Sequence, residues 1–90
     1  MKKNRVRHIL VQHEYQAADL IKNISSGADF GGLAKKFSLC SSAPGGGHLG
    51  LVPLERLDDQ FAVAVEGLGK DEISKPVRTK FGWHIIQKLD

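Results

Sequence analysis

The sequence predicts an α+β domain built on an antiparallel sheet. Three observations carry that expectation: β-type runs stand at both ends of the chain, helical periodicity is concentrated after the first of them, and the last two runs lie close enough to form a hairpin, which has to be antiparallel. Ninety residues suffice for one hydrophobic core and not for two, so residues 1–90 are expected to form a single domain.

The first run, Val6-Arg-His-Ile-Leu-Val-Gln12, is β-branched and apolar, and a strand here puts His8, Leu10 and Gln12 on one side. A central position is expected for it. From Glu14 to Ser26, Ala17, Leu20, Ile21 and Ile24 fall at i, i+3, i+4 and i+7, the spacing of an amphipathic helix, which Gly27 ends. Asp29 is placed to cap a second helix with Phe30, Leu33, Ala34 and Phe37 at the same spacing. Residues 38–48 are dominated by glycine, serine and proline and read as a long loop.

Leu49 to Leu54 predicts a short strand interrupted by Gly50, with Pro53 placing it at an edge. A third helix is expected across Leu57, Phe61, Ala64 and Val65, halted by Gly67 and Gly69. The end reads as a hairpin: Pro76-Val77-Arg78, a turn about Thr79 to Gly82, and a strand from Trp83 to Leu89.

A hydrophobic fraction of 41% and a charged fraction of 26% are those of an ordinary globular protein, and no apolar run approaches the roughly 20 residues of a membrane helix. Net charge is +3, but residues 1–40 carry seven Lys/Arg against three Asp/Glu, and residues 55–72 two against six. Apart from the basic start there is no Lys/Arg cluster with interleaved aromatics, so nucleic acid is not an expected partner. The opening Met1-Lys-Lys-Asn-Arg5 has no apolar region behind it and does not read as a secretory signal, and a lone cysteine suits a reducing compartment. The expectation is a complete, cytoplasmic, monomeric chain with no membrane partner.

Candidate chemistry rests on four histidines, Cys40 and nearby hydroxyl side chains. Two strand histidines, His8 and His84, are costly core filler, because each ring needs hydrogen-bond partners once it leaves water. A Cys/His pair can serve as nucleophile and base, yet no local cysteine-protease signature surrounds Cys40. Metal ligation is not expected, since the chain has no CxxC or HxxxH pair. The triple glycine Gly45-Gly46-Gly47 is followed by no lysine and opens no helix, so it does not match a phosphate loop. His48 is expected to face solvent, and Leu57 with Phe61, taken alone, reads as core.

The stretches His8-Ile-Leu-Val11, Gly27-Ala-Asp-Phe-Gly-Gly-Leu-Ala-Lys-Lys-Phe-Ser-Leu-Cys40, Gly46-Gly-His-Leu-Gly50 and Phe81-Gly-Trp-His-Ile-Ile86 resemble the parvulin family of peptidyl-prolyl cis/trans isomerases, in the family's order and spacing. The likeness spans residues 6–89 and is greatest to the small single-domain bacterial parvulins. It implies the parvulin (FKBP-like) fold, a four-stranded antiparallel sheet surrounded by four helices in the order βαααβαββ, with one short helix inside the segment that residue patterns give as loop. It also implies roles. His8 and His84 match the family's paired histidines on two central strands, and Cys40 matches the residue beside them that faces the substrate amide. Leu49, Leu57 and Phe61 match the walls of a proline pocket, while Thr79 and Phe81 match positions bordering the histidines.

Two positions depart from the family pattern: His48 stands where Asp is usual, and Leu57 where Met is common. Leucine keeps the volume and apolarity of methionine. The implied activity is non-covalent rotation of X-Pro bonds in proline-containing peptides and unfolded or nascent proteins, assisting protein folding without a cofactor. The connection Gln12-His13-Glu14 holds no Lys or Arg, so no phosphate requirement is expected. The rival reading is a chaperone-like module that binds such segments without turnover; both histidines together with Cys40 favour the enzyme.

Overall fold

The computed structural model describes residues 3–90, so Met1 and Lys2 of the basic amino end lie outside it. Four strands, β1 (Lys3–Val11), β2 (His48–Pro53), β3 (Val77–Thr79) and β4 (Gly82–Lys88), form one antiparallel sheet in the order β2-β1-β4-β3. Three helices accompany them: α1 (Glu14–Ser25), α2 (Phe30–Phe37) and α3 (Asp59–Glu66). The first strand is central, as its residue pattern predicts, and β2 is an edge, as Pro53 predicts.

Alternation along β1 divides the core in two. Ile9 and Val11, with Ile85 from β4, pack against Ala17 and Leu20 of α1 and Phe30 and Ala34 of α2. On the opposite face Val6 and Ile86 pack against Leu54 and, from α3, Phe61 and Val65. The sheet is therefore covered on both faces. His8 belongs to the α3 face, because it lies two residues from Val6 and from Leu10.

Helix starts follow the expected chemistry. Asp29 Oδ2 accepts the Gly32 N–H at 2.8 Å at the start of α2, and the Gln16 side chain accepts the His13 N–H at 3.0 Å ahead of α1. The third helix differs from expectation. It opens at Asp59 rather than running through Leu57, because Asp58 Oδ1 takes the Gln60 N–H at 2.9 Å and a 3₁₀ turn at Leu54–Arg56 closes with Leu57 N–H on the Leu54 carbonyl. Leu57 is left extended, with φ −91° and ψ 156°. The fourth helix that the resemblance implies is a single 3₁₀ turn, Ala43–Gly45, within the 38–48 segment.

Strand β2 begins one residue earlier than predicted. His48 pairs with Arg7 and Gly50 with Val6, so Leu49 is an extra residue and the register shifts there. Gly50 takes φ +74° at this bulge. A bulge re-aims the side chain it carries, and here Leu49 packs with the α3-face cluster. His48 is exposed, as expected.

Gly47 fixes the start of this strand. Its carbonyl accepts the His8 N–H at 2.9 Å, its φ is +85°, and a Cβ on it would stand 2.2 Å from the His8 carbonyl oxygen. Gly45, two residues away, has nothing within 4 Å. Gly47→Ala is therefore expected to lose about 2 kcal/mol or more of stability in urea unfolding, through backbone strain and displacement of β1 at His8, whereas Gly45→Ala should stay within about 0.5 kcal/mol of the parent.

Candidate active site

The β1–β4 register decides how the two histidines meet. Leu10 lies opposite His84 and His8 opposite Ile86, so the imidazoles are diagonal neighbours on one face of the sheet. Their Nδ1 atoms are 3.0 Å apart, 76 residues distant in sequence. His84 Nε2 lies 2.7 Å from Thr79 Oγ1, and that oxygen accepts the Phe81 N–H at 3.1 Å.

Proton counting orders this chain. Two facing Nδ1 atoms need one donor and one acceptor, so the rings hold complementary tautomers. With the Thr79 hydroxyl donating to His84 Nε2, His84 Nδ1–H donates to His8 Nδ1, and every polar atom in the run is satisfied except His8 Nε2, which is buried without a partner. Phe61 packs against both rings. Its ring meets His8 at 5.4 Å and 73°, and His84 at 5.2 Å and 84°, the edge-to-face geometry aromatic rings favour.

Both imidazoles are 4% exposed. Burial, reinforced by the neighbouring His84, holds His8 down at about 4, and burial lowers His84 as well, opposed by the Asp58 carboxylate. Both rings are consequently neutral near pH 7, and acid–base exchange with a substrate is not the chemistry they are poised for.

The residues after α2 bring Cys40 to the same place. Ser38 Oγ accepts the Leu10 N–H at 3.0 Å and the Cys40 N–H at 3.4 Å, while Leu39 N–H reaches the Leu10 carbonyl at 2.8 Å. Residues 38 and 39 thus run on along the β1 edge that β2 leaves free. Burial pushes the half-buried Cys40 thiol up, but hydrogen bonds from Ser42 and Ser41 outweigh it and leave the thiol below its ordinary value. The Ser42 hydroxyl is buried and has no hydrogen-bond partner of good geometry, so it gains most when the sulfur carries charge.

A cavity of about 390 Å³ opens above this floor. His8, His84 and Cys40 line it together with Leu49, Leu57, Phe61 and Phe81. Thr79 lies behind, 6% exposed, reaching the cavity through His84. All eight residues singled out from sequence are therefore brought into one neighbourhood. Phe61 is both wall and core, at 4% exposure, whereas Phe81 at 63% stands on the rim. Leu10, Arg56 and Asp58 also line the cavity and were not anticipated. Alternation with His8 is the signal for Leu10; the two charged residues carry one only in flanking Leu57. Among the described residues no group of three His, Cys, Asp or Glu side chains converges to hold a metal ion, and no helix is long and apolar enough to cross a membrane.

The family model described as "Rotamase: PPIC-type PPIASE domain" matches residues 7–90, and the chain belongs to that parvulin family. It is 46% identical over 89 residues to a probable parvulin-type peptidyl-prolyl cis-trans isomerase of Bordetella pertussis, covering 96% of this chain and 34% of that protein. It is 42% identical over 84 residues to the foldase protein PrsA of Caldanaerobacter subterraneus, covering 92% of this chain and 28% of the relative. The chain thus spans about a third of the length of these curated relatives. Among solved structures, that of NmPin, the parvulin of Nitrosopumilus maritimus, superposes with a TM-score of 0.90 at 34% identity, covering 100% of this chain and 98% of that one.

The neutral pair makes stability pH-dependent in a definite direction. The folded His8 value of about 4 lies below the ordinary 6.5, so the unfolded chain takes up its proton first as pH falls. The contribution is whole above about pH 6.5 and lost as pH drops through about 4, amounting to roughly 3 kcal/mol for His8, with His84 acting in the same direction. Urea unfolding between pH 7 and pH 4 should show this fall, and His8→Asn should flatten it.

Proposed function

We propose that this chain catalyses cis/trans rotation about X-Pro peptide bonds in unfolded or nascent proteins, with no phosphate requirement. The observation that carries the reading is the hydrogen-bonded, neutral His8–His84 pair beneath a cavity walled by Leu49, Leu57 and Phe61. The barrier to be lowered is about 18–20 kcal/mol, because resonance gives the C–N bond partial double-bond character. Uncatalysed rotation takes tens to hundreds of seconds.

No covalent bond has to form. Gripping the proline ring between Leu49, Leu57 and Phe61 while the preceding carbonyl swings favours the twisted amide over either planar form. An apolar wall also withdraws water from the charge-separated planar amide, whose resonance the twisted form has lost. Cys40 and the imidazole–Thr79 run supply a polar surface for the moving carbonyl. The histidines act as positioning residues: a rigid, uncharged run of hydrogen bonds holds the floor in one geometry. Cytoplasmic residence and a monomeric state belong to the same proposal; the first rests on the lone Cys40 thiol.

Exchange NMR on proline pentapeptides tests the reading. Catalysed interconversion is expected, with partial activity at least in Cys40→Ser; binding without turnover would leave a chaperone-like module instead, and full activity in both Cys40→Ser and Cys40→Ala would remove any covalent part for the sulfur. Because Phe61 also belongs to the core, Phe61→Ala is expected to cost about 3–5 kcal/mol in stability, so Phe61→Leu is the informative change, with KM rising several-fold. Replacing the residue before proline by phosphoserine should bring no acceleration over serine; a large one would show a phosphate requirement.

A further inference from the structure

Arg56 and Asp58 stand on the cavity wall on either side of Leu57, and the proposed rotation gives neither a part. Their circumstances differ. The Asp58 carboxylate accepts the Gln60 N–H at 2.9 Å at the start of α3 and lies near enough to His84 to act on it, so its charge is engaged from within the protein. Arg56 ends the 3₁₀ turn Leu54–Arg56, is exposed, and among the described residues makes no ion pair and no side-chain hydrogen bond. The imidazole floor is uncharged near pH 7, and Leu10, Leu49, Leu57, Phe61 and Phe81 bring no charge. Asp58 balances the formal charge of the lining, but its carboxylate is held by the α3 cap, whereas the Arg56 guanidinium at the lip keeps all its donors free for a group on a bound chain.

The direction of the substrate follows from the reading above, on which this inference rests. With the carbonyl before proline over Cys40 and His84, the polar side of the cavity is assigned to the residue before proline, which leaves the residues that flank Leu57 to the chain that follows the ring. We propose that Arg56 is a specificity-determining residue, recognising a carboxylate on the residue that follows proline. A guanidinium offers a carboxylate two parallel N–H donors, and an acidic side chain there is near enough to be met without disturbing the ring. A lone exposed arginine reads a single carboxylate, and the connection Gln12-His13-Glu14 holds no Lys or Arg with which to form a phosphate-binding cluster.

Exchange NMR on the pentapeptide amides Ala-Leu-Pro-Glu-Ala and Ala-Leu-Pro-Gln-Ala measures the preference as a ratio of kcat/KM within one protein, so that any loss of folded material cancels. The ratio is expected at about two- to five-fold in favour of Glu for the parent at low salt, the range an exposed ion pair supplies. It should fall to about one in Arg56→Gln, drop below one in Arg56→Glu, and fade as salt is raised. A parent ratio of one, a ratio that Arg56→Gln leaves unmoved, or a preference found only when Glu precedes proline, as in Ala-Glu-Pro-Gln-Ala, would overturn the assignment. Turnover with a flat ratio removes Arg56 alone, whereas no turnover on any peptide overturns the isomerase reading and this inference with it.

Discussion

One hydrogen bond between two buried imidazoles sets the terms for everything around it. The His8–His84 contact at 3.0 Å needs one Nδ1–H donor and one bare Nδ1 acceptor, which two neutral rings in complementary tautomers supply and two protonated rings cannot, and burial enforces that neutrality more strongly than any neighbour does. In exchange the bond fixes the β1–β4 register at the level of the site, since a slip of one residue would send one histidine to the α1–α2 face. It also sets ring orientation, because each imidazole is held at a second point, His84 by Thr79 and His8 by the edge-to-face packing of Phe61. The site is therefore held by directional contacts on a sheet rather than by a loop.

Several features of the fold serve to carry other residues to that pair. The bulge at Leu49 turns a leucine onto the histidine face, and Gly47 allows the strand that bears it to approach the His8 carbonyl. Ser38 ties the stretch after α2 to Leu10 and so sets the height of Cys40. The Asp58 cap holds the start of α3, leaving Leu57 extended toward the cavity and Phe61 one turn into the helix. Each of these is a local backbone device whose effect is felt in the position of one side chain.

Much of this was legible in the residues. The 3.6-residue periodicity of α1 and α2 and the alternation of β1 and β4 each carry one strong, repeated signal, and the structure follows them to within a residue or two, except that β1 begins at Lys3, three residues ahead of the Val6 its apolar run predicts. Leu57 was harder, because its i, i+4 spacing with Phe61 continues a helical pattern that only the Asp58 cap and the preceding 3₁₀ turn interrupt. The bulge at Leu49 was hidden for a related reason: it depends on the long-range bond between Gly47 and His8, to which no neighbouring residue testifies. The meeting of His8, Cys40 and His84 came from resemblance rather than spacing, since three distant segments carry no mutual period. Arg56 and Asp58 escaped notice because apolar spacing directs attention to Leu57 between them.

The central pair of strands is also the most widely separated pair in the chain. β1 is the first strand, β4 the last, and between them the sequence lays down all three helices and both edge strands. During synthesis, then, the first histidine emerges long before the second, and the α1–α2 half can collect its helices on β1 while the other face still lacks its central partner. Closure of so long a loop is the slow kind of folding step. The cavity floor cannot exist in a chain truncated ahead of β4, so a ribosome-bound fragment of this domain acquires its imidazole pair only after the final strand has left the exit tunnel.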